Sequence, residues 1–484
     1  MNIILFISEI FLFFFIRLLP VWRFRHQGCD AYYFLLTAEI FRKKKKIPIV
    51  LPPYYLADID EQWYPPGFSV FLGLLPEWIV QQYHWLINHI LDFLNLLLLD
   101  CFIWAFHMGW RALLVANLVY IFTPTLTLEY RGLTSRSLGN LLFTLFMMAM
   151  WGTLTDIRWL PAALFVWLLI LFTHKMTMQL GIVMGIVLSV VFKTWLPVIV
   201  VIGGIPLAIV LSMGYYWKIL KGHWDIVSFW HKNLPWLGAH QVKHSPIYGN
   251  PQDYINEKKG FIIHVKLVLR GLLHNPFVIL LLSFFPLNLA QLNHGFYRVF
   301  LIVWITVTVI WFFLTTLIPG IKSFGEGYKY IKYMAWPIAC LSVYVPSAYL
   351  SVGLVLSLIV IYIGVVRTLK GDIAFKIDPD FEDCIQWIKK HDKINRIGCI
   401  NSHLADPIAY FCCRQVLWGT HHYYFNEKVI DFFPVLRKSI EELGRKYDLR
   451  YWLINTNYTN TNDIGLYEKQ CIYKSGSYEL FKIV

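Results

Sequence analysis

Long apolar runs are the feature that most constrains how this chain can fold. Each run approaches the roughly 20 apolar residues that a helix needs to cross a bilayer, and charged segments separate the runs. Inside a bilayer the backbone can hydrogen-bond only with itself, which favours helices. The predicted spans are 3–19, 85–106, 109–124, 137–154, 159–173, 176–192, 195–214, 276–293 and 298–318.

Composition indicates the same class of protein. Of the 484 residues, 57% are hydrophobic and 15% are charged, whereas soluble domains contain about 25% charged residues. The net charge of +13 suits anionic lipid or a phosphorylated substrate. No nucleic acid is expected as a partner, because the basic residues lie in loops between apolar runs. The eight cysteines show neither a CxxC motif nor the spacing of metal ligands.

The stretch 333–366 leaves two interpretations open. It carries no charge and is too long for one ordinary span, and Pro346 lies near its middle. Two short helices joined near Pro346 would bring the bundle to about eleven spans. A single tilted and kinked helix would make one span fewer.

A change of composition near Lys370 predicts a second domain. Residues 1–369 form the predicted membrane domain, with long loops at 20–84 and 215–275, and residues 370–484 form a small α/β domain. Asp378-Pro379 opens a helical pattern as N-cap and first residue. The predicted elements are helices at 378–391 and 433–447 and strands at 396–400, 415–419, 449–455 and 478–484. The expected fold is therefore an all-α polytopic membrane bundle with a C-terminal α/β soluble domain.

The first long loop carries two acidic features. Asp30 stands in Gly-Cys-Asp-Ala-Tyr-Tyr, just after the first apolar run, and Trp-Tyr-Pro-Pro-Gly-Phe follows at 63–68. Asp30 either carries chemistry or caps an amphipathic helix over 30–43. Further on, Asp58, Asp60 and Glu61 would suit a hard cation, although a solvated turn explains them equally well.

This layout resembles the GT-C membrane glycosyltransferases, such as protein O-mannosyltransferases, oligosaccharyltransferase catalytic subunits and aminoarabinose transferases. The resemblance implies that Asp30 is the general base, with a polyprenyl-phosphate sugar as donor. It also implies a lipid, glycan or protein acceptor on the extracytoplasmic face of the cell membrane, with the C-terminal domain on that side. The sequence departs from the pattern at Tyr64, where relatives often have Lys before Pro-Pro.

Three later loops supply candidate partners for the donor. Glu129 resembles the acidic residue of the second extracytoplasmic loop in these enzymes, which binds the acceptor or a metal ion. A divalent cation is therefore a candidate cofactor. The candidate phosphate ligands are basic residues, which could instead reach lipid headgroups. They are Arg131, Arg136, His174, Lys175 and Lys329.

Orientation and function each keep an alternative. With the N-terminus in the cytoplasm, the short outer loops hold more Lys and Arg than the inner ones, against the positive-inside rule. A site that binds phosphate needs those charges on its own face, which favours this orientation nonetheless. The alternative function is a transporter or lipid-linked oligosaccharide flippase, although no repeat relates the two halves and the acids cluster in loops.

Overall fold

The computed structural model describes residues 3–49, 51, 54–57, 61, 63–234, 261–284, 296–371, 375–419, 421, 425–434, 436–466 and 468–483. The chain divides into two compact units. The membrane unit contains Met1–Arg25, Tyr83–Tyr216 and His264–Ile373. The loop unit contains His26–Gln82, Trp217–Ile263 and Ala374–Val484.

Helices form most of the described chain. They are α1 Ile3–Leu18, α2 Asp30–Lys44, α3 Gly67–Leu74, α4 Glu77–Ala105, α5 Gly109–Ile121, α6 Pro124–Glu129, α7 Ser135–Thr155, α8 Leu160–Leu171, α9 Lys175–Val191, α10 Leu196–Leu211, α11 Tyr215–Lys232, α12 Phe261–Leu273, α13 Phe277–Phe284, α14 Phe296–Leu317, α15 Pro319–Lys322, α16 Ala335–Ser342, α17 Ser347–Leu369, α18 Pro379–Lys390, α19 Ala405–Cys412 and α20 Ile440–Tyr447. A 3₁₀ helix occupies Gly327–Met334.

Four of these helices are long and apolar enough to cross a membrane, among the residues that the structure describes: α4, α7, α14 and α17. Shorter apolar helices include α5, α8, α9 and α10. The stretch 333–366 contains two helices, because α16 ends at Ser342 and Pro346 precedes α17. The break lies where a proline removes a backbone donor and clashes with the preceding turn.

A buried arginine ties the first helix of the membrane unit to its neighbours. Arg17 Nε lies 2.7 Å from Asp92 Oδ2 on α4, and neither side chain is exposed. The same guanidinium donates to Ile121 O at the end of α5 and to Thr127 Oγ1 on α6. Tyr120 donates its hydroxyl to the other Asp92 oxygen. The ion pair with Asp92 stabilises the Arg17 charge, which would otherwise be costly in an apolar bundle. The bond to Thr127 also holds α6 against α1.

Glycines let apolar helices approach closely in the same unit. Trp167 of α8 lies against Gly181 of α9 and Gly204 of α10, where a Cβ on either glycine would overlap the indole. Its Nε1 donates to Val201 O at 3.1 Å. Small residues at helix contacts are typical of membrane bundles.

The loop unit contains a four-stranded sheet in the order β1-β2-β4-β3. Its strands are β1 Ile397–Ile400, β2 Tyr451–Asn455, β3 Gln470–Ser475 and β4 Tyr478–Lys482. β1 and β2 are parallel, and the other pairs are antiparallel. The predicted strand at 415–419 is instead a segment with isolated bridges at Val416 to Tyr55 and Ile397.

Both predicted C-terminal helices are present, one of them shortened. α18 begins with Asp378 accepting from Phe381 N, as its sequence predicts. α20 begins only at Ile440, because Ser439 and Glu442 form a reciprocal capping box there. The two long loops pack with this C-terminal part: residues 54–57 pair with 416–417, and α2 contacts α19. The compact unit is therefore larger than the predicted domain 370–484.

Candidate functional site

Asp30 lies at the start of a helix, beside a histidine from the C-terminal part of the chain. It is the first residue of α2, where the positive end of the helix dipole stabilises a carboxylate. Asp30 Oδ2 is 3.6 Å from His421 Nε2, and the two side chains are 26% and 16% exposed. This distance allows an ion pair when the imidazole is protonated. The loop unit thus places a carboxylate and an imidazole at one partly open position.

Aromatic rings from both motifs of the first loop surround that imidazole. Tyr64, from the Trp-Tyr-Pro-Pro-Gly turn, stacks on His421 with centroids 4.4 Å apart. Tyr33 meets the same ring edge-on at 5.1 Å, and Phe34 lies at 5.0 Å. The two sequence motifs that suggested a site are therefore brought together around His421, a residue that sequence reasoning did not single out.

A second carboxylate of the loop unit, that of Asp406, acts on Cys29, the neighbour of Asp30. Tyr55 donates its hydroxyl to Asp406 Oδ1 at 2.7 Å, and Asp406 is fully buried. Both Asp30 and Asp406 act electrostatically on Cys29, and burial together with those charges raises the pKa of the Cys29 thiol well above its usual range. Cys29 is therefore a neutral thiol, whose Sγ donates to Asp30 Oδ1 at 3.4 Å.

The acidic cluster of the first loop is described only in part. Asp58 and Asp60 lie outside the described residues. Both oxygens of Glu61 accept from Lys218 Nζ of α11, at 2.7 and 2.6 Å. The Lys218 ammonium occupies both carboxylate oxygens and would repel a metal ion at Glu61.

Glu129 lies at the centre of a charged cluster in the membrane unit. Its Oε1 is 2.9 Å from Lys332 Nζ and 3.3 Å from Arg136 Nη1. Lys332 is fully buried, and Glu129 is 10% exposed. Glu129 ends α6, Arg136 lies in the first turn of α7, and Lys332 belongs to the 3₁₀ helix. Three short connections therefore converge on one carboxylate.

Two further lysines extend this cluster. Lys329 pairs with Glu326, and the positive charge of Arg136 also acts on it. Lys175, the first residue of α9, is half-buried, and the charges acting on it are those of Lys329 and Arg136. Among the residues that the structure describes, no carboxylate contacts the Lys175 ammonium. The basic cluster, as we call it, comprises Arg136, Lys175, Lys329 and Lys332 around Glu129 and Glu326.

The electrostatics of the cluster follow from burial and from the two carboxylates. Burial lowers the pKa of Lys332 to about 8, although Glu129 opposes the shift. Burial also lowers the pKa of Lys329, but Glu326 and Tyr328 outweigh it and hold that pKa above its usual value. For Glu129 burial raises the pKa, and the charges of Lys332 and Arg136 bring it below the usual range. Lys329 and Glu129 are thus charged at neutral pH.

The other candidate phosphate ligands contact different partners. His174 Nδ1 lies 3.1 Å from Thr177 Oγ1 and 3.3 Å from the Tyr333 hydroxyl. Arg131 Nη1 donates to Thr368 Oγ1 near the end of α17 at 2.8 Å.

Two residues beside the cluster were not predicted from the sequence. Lys332 could have been found, because residues three apart eclipse in a 3₁₀ helix and Lys329 was already a candidate. His274 contacts Tyr328 with centroids 5.6 Å apart. Burial lowers its pKa, although Glu129 acts in the opposite direction. Among the described residues, no group of three or more His, Cys, Asp or Glu side chains could hold a metal ion.

Comparisons with known proteins identify the fold. The oligosaccharyltransferase of Archaeoglobus fulgidus, in complex with Zn and sulfate, matches at a TM-score of 0.58 and 11% identity, over 93% of this chain and 67% of that chain. The same organism's AglB, in complex with an inhibitory peptide and a dolichol-phosphate, matches at 0.53 and 11% identity, over 93% and 69%. The resemblance to GT-C glycosyltransferases is thereby confirmed at the level of the fold.

ArnT from Cupriavidus metallidurans bound to undecaprenyl phosphate overlaps with all of this chain and 98% of its own, at a TM-score of 0.45 and 12% identity. No protein-family model matches the sequence, and neither does any curated protein.

Proposed function

We propose that this chain is a membrane glycosyltransferase that moves a sugar from a polyprenyl-phosphate-linked donor to a hydroxyl of a lipid, glycan or protein acceptor on the extracytoplasmic face. The observation that carries the proposal is Lys175, a half-buried ammonium whose charged neighbours are cations. Such an arrangement is costly unless an anion joins it. The GT-C fold supports a lipid-linked phosphate as that anion, because the matched AglB structure holds a dolichol-phosphate.

The basic cluster suits a leaving phosphate. Glycosyl transfer breaks the bond between the anomeric carbon and a phosphate oxygen, and negative charge grows on the phosphate as that bond breaks. Preorganised cations stabilise such developing charge more than they stabilise the ground state. Arg136 and Lys175 would contact the phosphate, with Lys329 and Lys332 completing the positive field. Arg131 and His174 remain candidate ligands, with His174 supported by Thr177 and Tyr333.

Asp30 would act on the acceptor. Its carboxylate removes the hydroxyl proton while the acceptor oxygen forms the new bond to the anomeric carbon. A general base of this kind typically contributes about 10²–10⁴-fold to the rate. Asp30→Asn should therefore reduce transfer by about that factor and leave folding intact, because Asn keeps the shape of the side chain.

Glu129 is better suited to organise cations than to bind a metal. Its Oε1 already accepts from Lys332 and lies near Arg136. We assign Glu129 to positioning those two groups. Glu61 is paired with Lys218, so Asp58 and Asp60 remain the candidates for a divalent cation or for the acceptor.

Binding of a carrier lipid tests the phosphate site. The probe is a fluorescent short-chain polyprenyl phosphate, titrated against the protein in nanodiscs. Lys175→Met should weaken binding by about 10-fold or more, because a hydrogen bond to a charged group contributes about 1.5–3 kcal/mol. Lys193→Met is the matched control, since Lys193 lies just beyond the other end of α9. Equal affinities of wild type and Lys175→Met would contradict the assignment.

A transfer assay separates the enzyme from a transporter. Synthetic polyprenyl-phosphate hexose and pentose donors are offered with native membrane lipids as acceptors, and released polyprenyl phosphate is measured. An enzyme releases carrier phosphate in a manner that depends on Asp30. A flippase would move the donor across the bilayer without releasing it.

A further inference from the structure

His421 is placed beside Asp30 by contacts on both sides. The imidazole is stacked on Tyr64 and packed against Tyr33 and Phe34, so its ring plane and position are fixed. Nε2 faces Asp30 Oδ2 at 3.6 Å. That separation is slightly longer than a hydrogen bond, so one bridging water or a small shift of either side chain would connect the two groups.

The segment that follows His421 is anchored independently of Asp30. Asp225 of α11 accepts from Phe425 N at 2.7 Å and from Asn426 Nδ2 at 2.9 Å. Asn426 also donates to Ser228 Oγ and accepts from Lys232 Nζ. These bonds, with Phe229 against Phe425, hold the chain just after His421 on the second long loop. The imidazole is thus held by its ring contacts, and residues 425–426 of the same segment are anchored separately.

We infer that His421 is a proton-handling partner of Asp30, receiving the proton that Asp30 takes from the acceptor and releasing it to solvent. The inference rests on the proposed function, in which Asp30 is the base. In the step, the acceptor O–H proton moves to an Asp30 oxygen and then to His421 Nε2. The products are an Asp30 carboxylate beside an imidazolium, a pair that the 3.6 Å separation stabilises. Loss of the imidazolium proton to water restores the starting state.

The surroundings favour histidine for this task. The titratable groups that face the pair are Cys29, Tyr33 and Tyr64, and the charge of Asp406 acts on Cys29. Because Cys29 is a neutral thiol, it does not compete for the proton at neutral pH. Both side chains are partly exposed, but the His421 Nε2 atom itself is buried, so the inferred exit of the proton to water is through the other ring nitrogen, Nδ1. Histidine is also the side chain that exchanges protons most readily near neutral pH.

The first experiment measures kcat/KM against pH for wild type, His421→Gln and His391→Gln, using the synthetic donors. His421→Gln should lower kcat by about 10- to 100-fold and lose one ionisation from the profile, with KM for the donor little changed. His391 is the control: it is exposed in the same unit, and its ring stacks on Trp387. A profile of His421→Gln that coincides with wild type would overturn the inference and leave the proposed function standing.

Chemical rescue by added imidazole distinguishes proton transfer by His421 from a purely structural role, because imidazole in solution can replace the lost proton acceptor but not a lost packing contact. Added imidazole should restore part of the activity of His421→Ala, because removal of the side chain leaves space next to a partly exposed carboxylate. It should not change the activity of His391→Ala. Failure of imidazole to act on a folded His421→Ala protein would contradict proton handling.

A spectroscopic readout keeps the test independent of turnover. The imidazole of His421 can be identified by ¹⁵N NMR as the signal missing from His421→Gln, and its chemical shift should change in Asp30→Asn. An unchanged signal would overturn the pairing. If Asp30→Asn shows this change but wild type transfers none of the donors, the proposed function fails while the pairing stands.

Discussion

Lys332 is expected to give phosphate binding a dependence on pH. Burial lowers its pKa to about 8, so it carries charge below that pH and loses it above. Affinity for polyprenyl phosphate should therefore fall as pH rises through about 8, and Glu129 then repels the phosphate more strongly. Lys332→Arg should reduce this fall by the part that is due to Lys332, because a guanidinium stays protonated. Titrations of the carrier lipid on either side of pH 8 check this, and parallel curves for the two proteins would contradict it.

Glu129 should matter more for stability than a similar ion pair near the surface. Removing one partner of a buried pair leaves the other charge unpaired, at about 3–5 kcal/mol. Glu129→Gln leaves the charge of the fully buried Lys332 without its carboxylate partner and should destabilise the fold by about that amount. The control is Glu61→Gln, whose pair with Lys218 is 34% and 41% exposed and should contribute about 0–1 kcal/mol. Thermal unfolding in detergent should show the larger loss for Glu129→Gln; equal losses would mean that the cluster is not a buried ion-pair network.

Single residues also show where sequence reasoning reaches its limit. Arg136, Lys175 and Lys329 were predicted as ligands of one phosphate because the predicted topology puts them on one face of the membrane, and in the structure their charges act on one another. Arg131 carries the same signal, and one of its hydrogen bonds joins it to Thr368 on α17. A charged residue next to a helix end has a predictable depth relative to the membrane surface. The direction in which its side chain points around the helix axis depends on helix rotation, and helix packing determines that rotation.

At the scale of elements, the close contact between α7 and the start of α9 should be sensitive to one methyl group. A Cβ on Gly139 would lie 2.6 Å from Thr177 Oγ1 and 3.2 Å from His174 Cβ. Gly139→Ala must therefore separate the helix ends that carry Arg136 and Lys175, and we expect polyprenyl-phosphate affinity to fall by about 10-fold with a stability loss of about 1–3 kcal/mol. Gly203→Ala, where the nearest atom is 4.0 Å away, should bind normally. Wild-type affinity in both variants would show that the spacing of these helix ends does not matter.

The elements of the C-terminal part were largely predictable because local rules determine them. The Asp378-Pro379 start predicted α18, and the short apolar runs at 397–400 and 451–455 predicted β1 and β2. The start of α20 was placed too early, since its capping box at Ser439 competes with an apolar pattern that begins before Pro434. β3 was missed: it is an exposed edge strand, so no hydrophobic alternation marks it.

At the scale of the whole molecule, the pairing of Asp30 with His421 could not be predicted. Asp30 and Tyr64 lie in one loop, and their motifs are recognisable within it. His421 lies near the other end of the chain, and only the packing of α2 against α19 with the anchor at Asp225 brings it close. Contacts between segments so far apart are decided by tertiary packing, which leaves no local pattern in the sequence.

The composition of the loop unit leads to a prediction about topology. Residues 26–82, 217–263 and 374–484 form one compact unit, so we predict that these three segments lie on one side of the membrane. The chain must then cross an even number of times between successive segments. Six apolar helices, α4, α5 and α7 to α10, lie between the first two, and α13, α14, α16 and α17 lie between the last two. If each of these helices and α1 marks one crossing, the chain makes the eleven spans that the sequence predicts, and α4, α7, α14 and α17 are the described helices long and apolar enough to cross by themselves.

Labelling of single cysteines tests this arrangement. A membrane-impermeant maleimide applied to intact cells should label Lys44→Cys, His231→Cys and native Cys471 alike, because all three are exposed and belong to the loop unit. Lys193→Cys, exposed just beyond the end of α9 opposite Lys175, should be protected until the cells are opened. The expected orientation places the loop unit outside, where an acceptor on the extracytoplasmic face would meet Asp30. Labelling of Lys193→Cys alone would reverse the orientation in favour of the positive-inside rule, and disagreement among the three loop-unit positions would refute the even number of crossings.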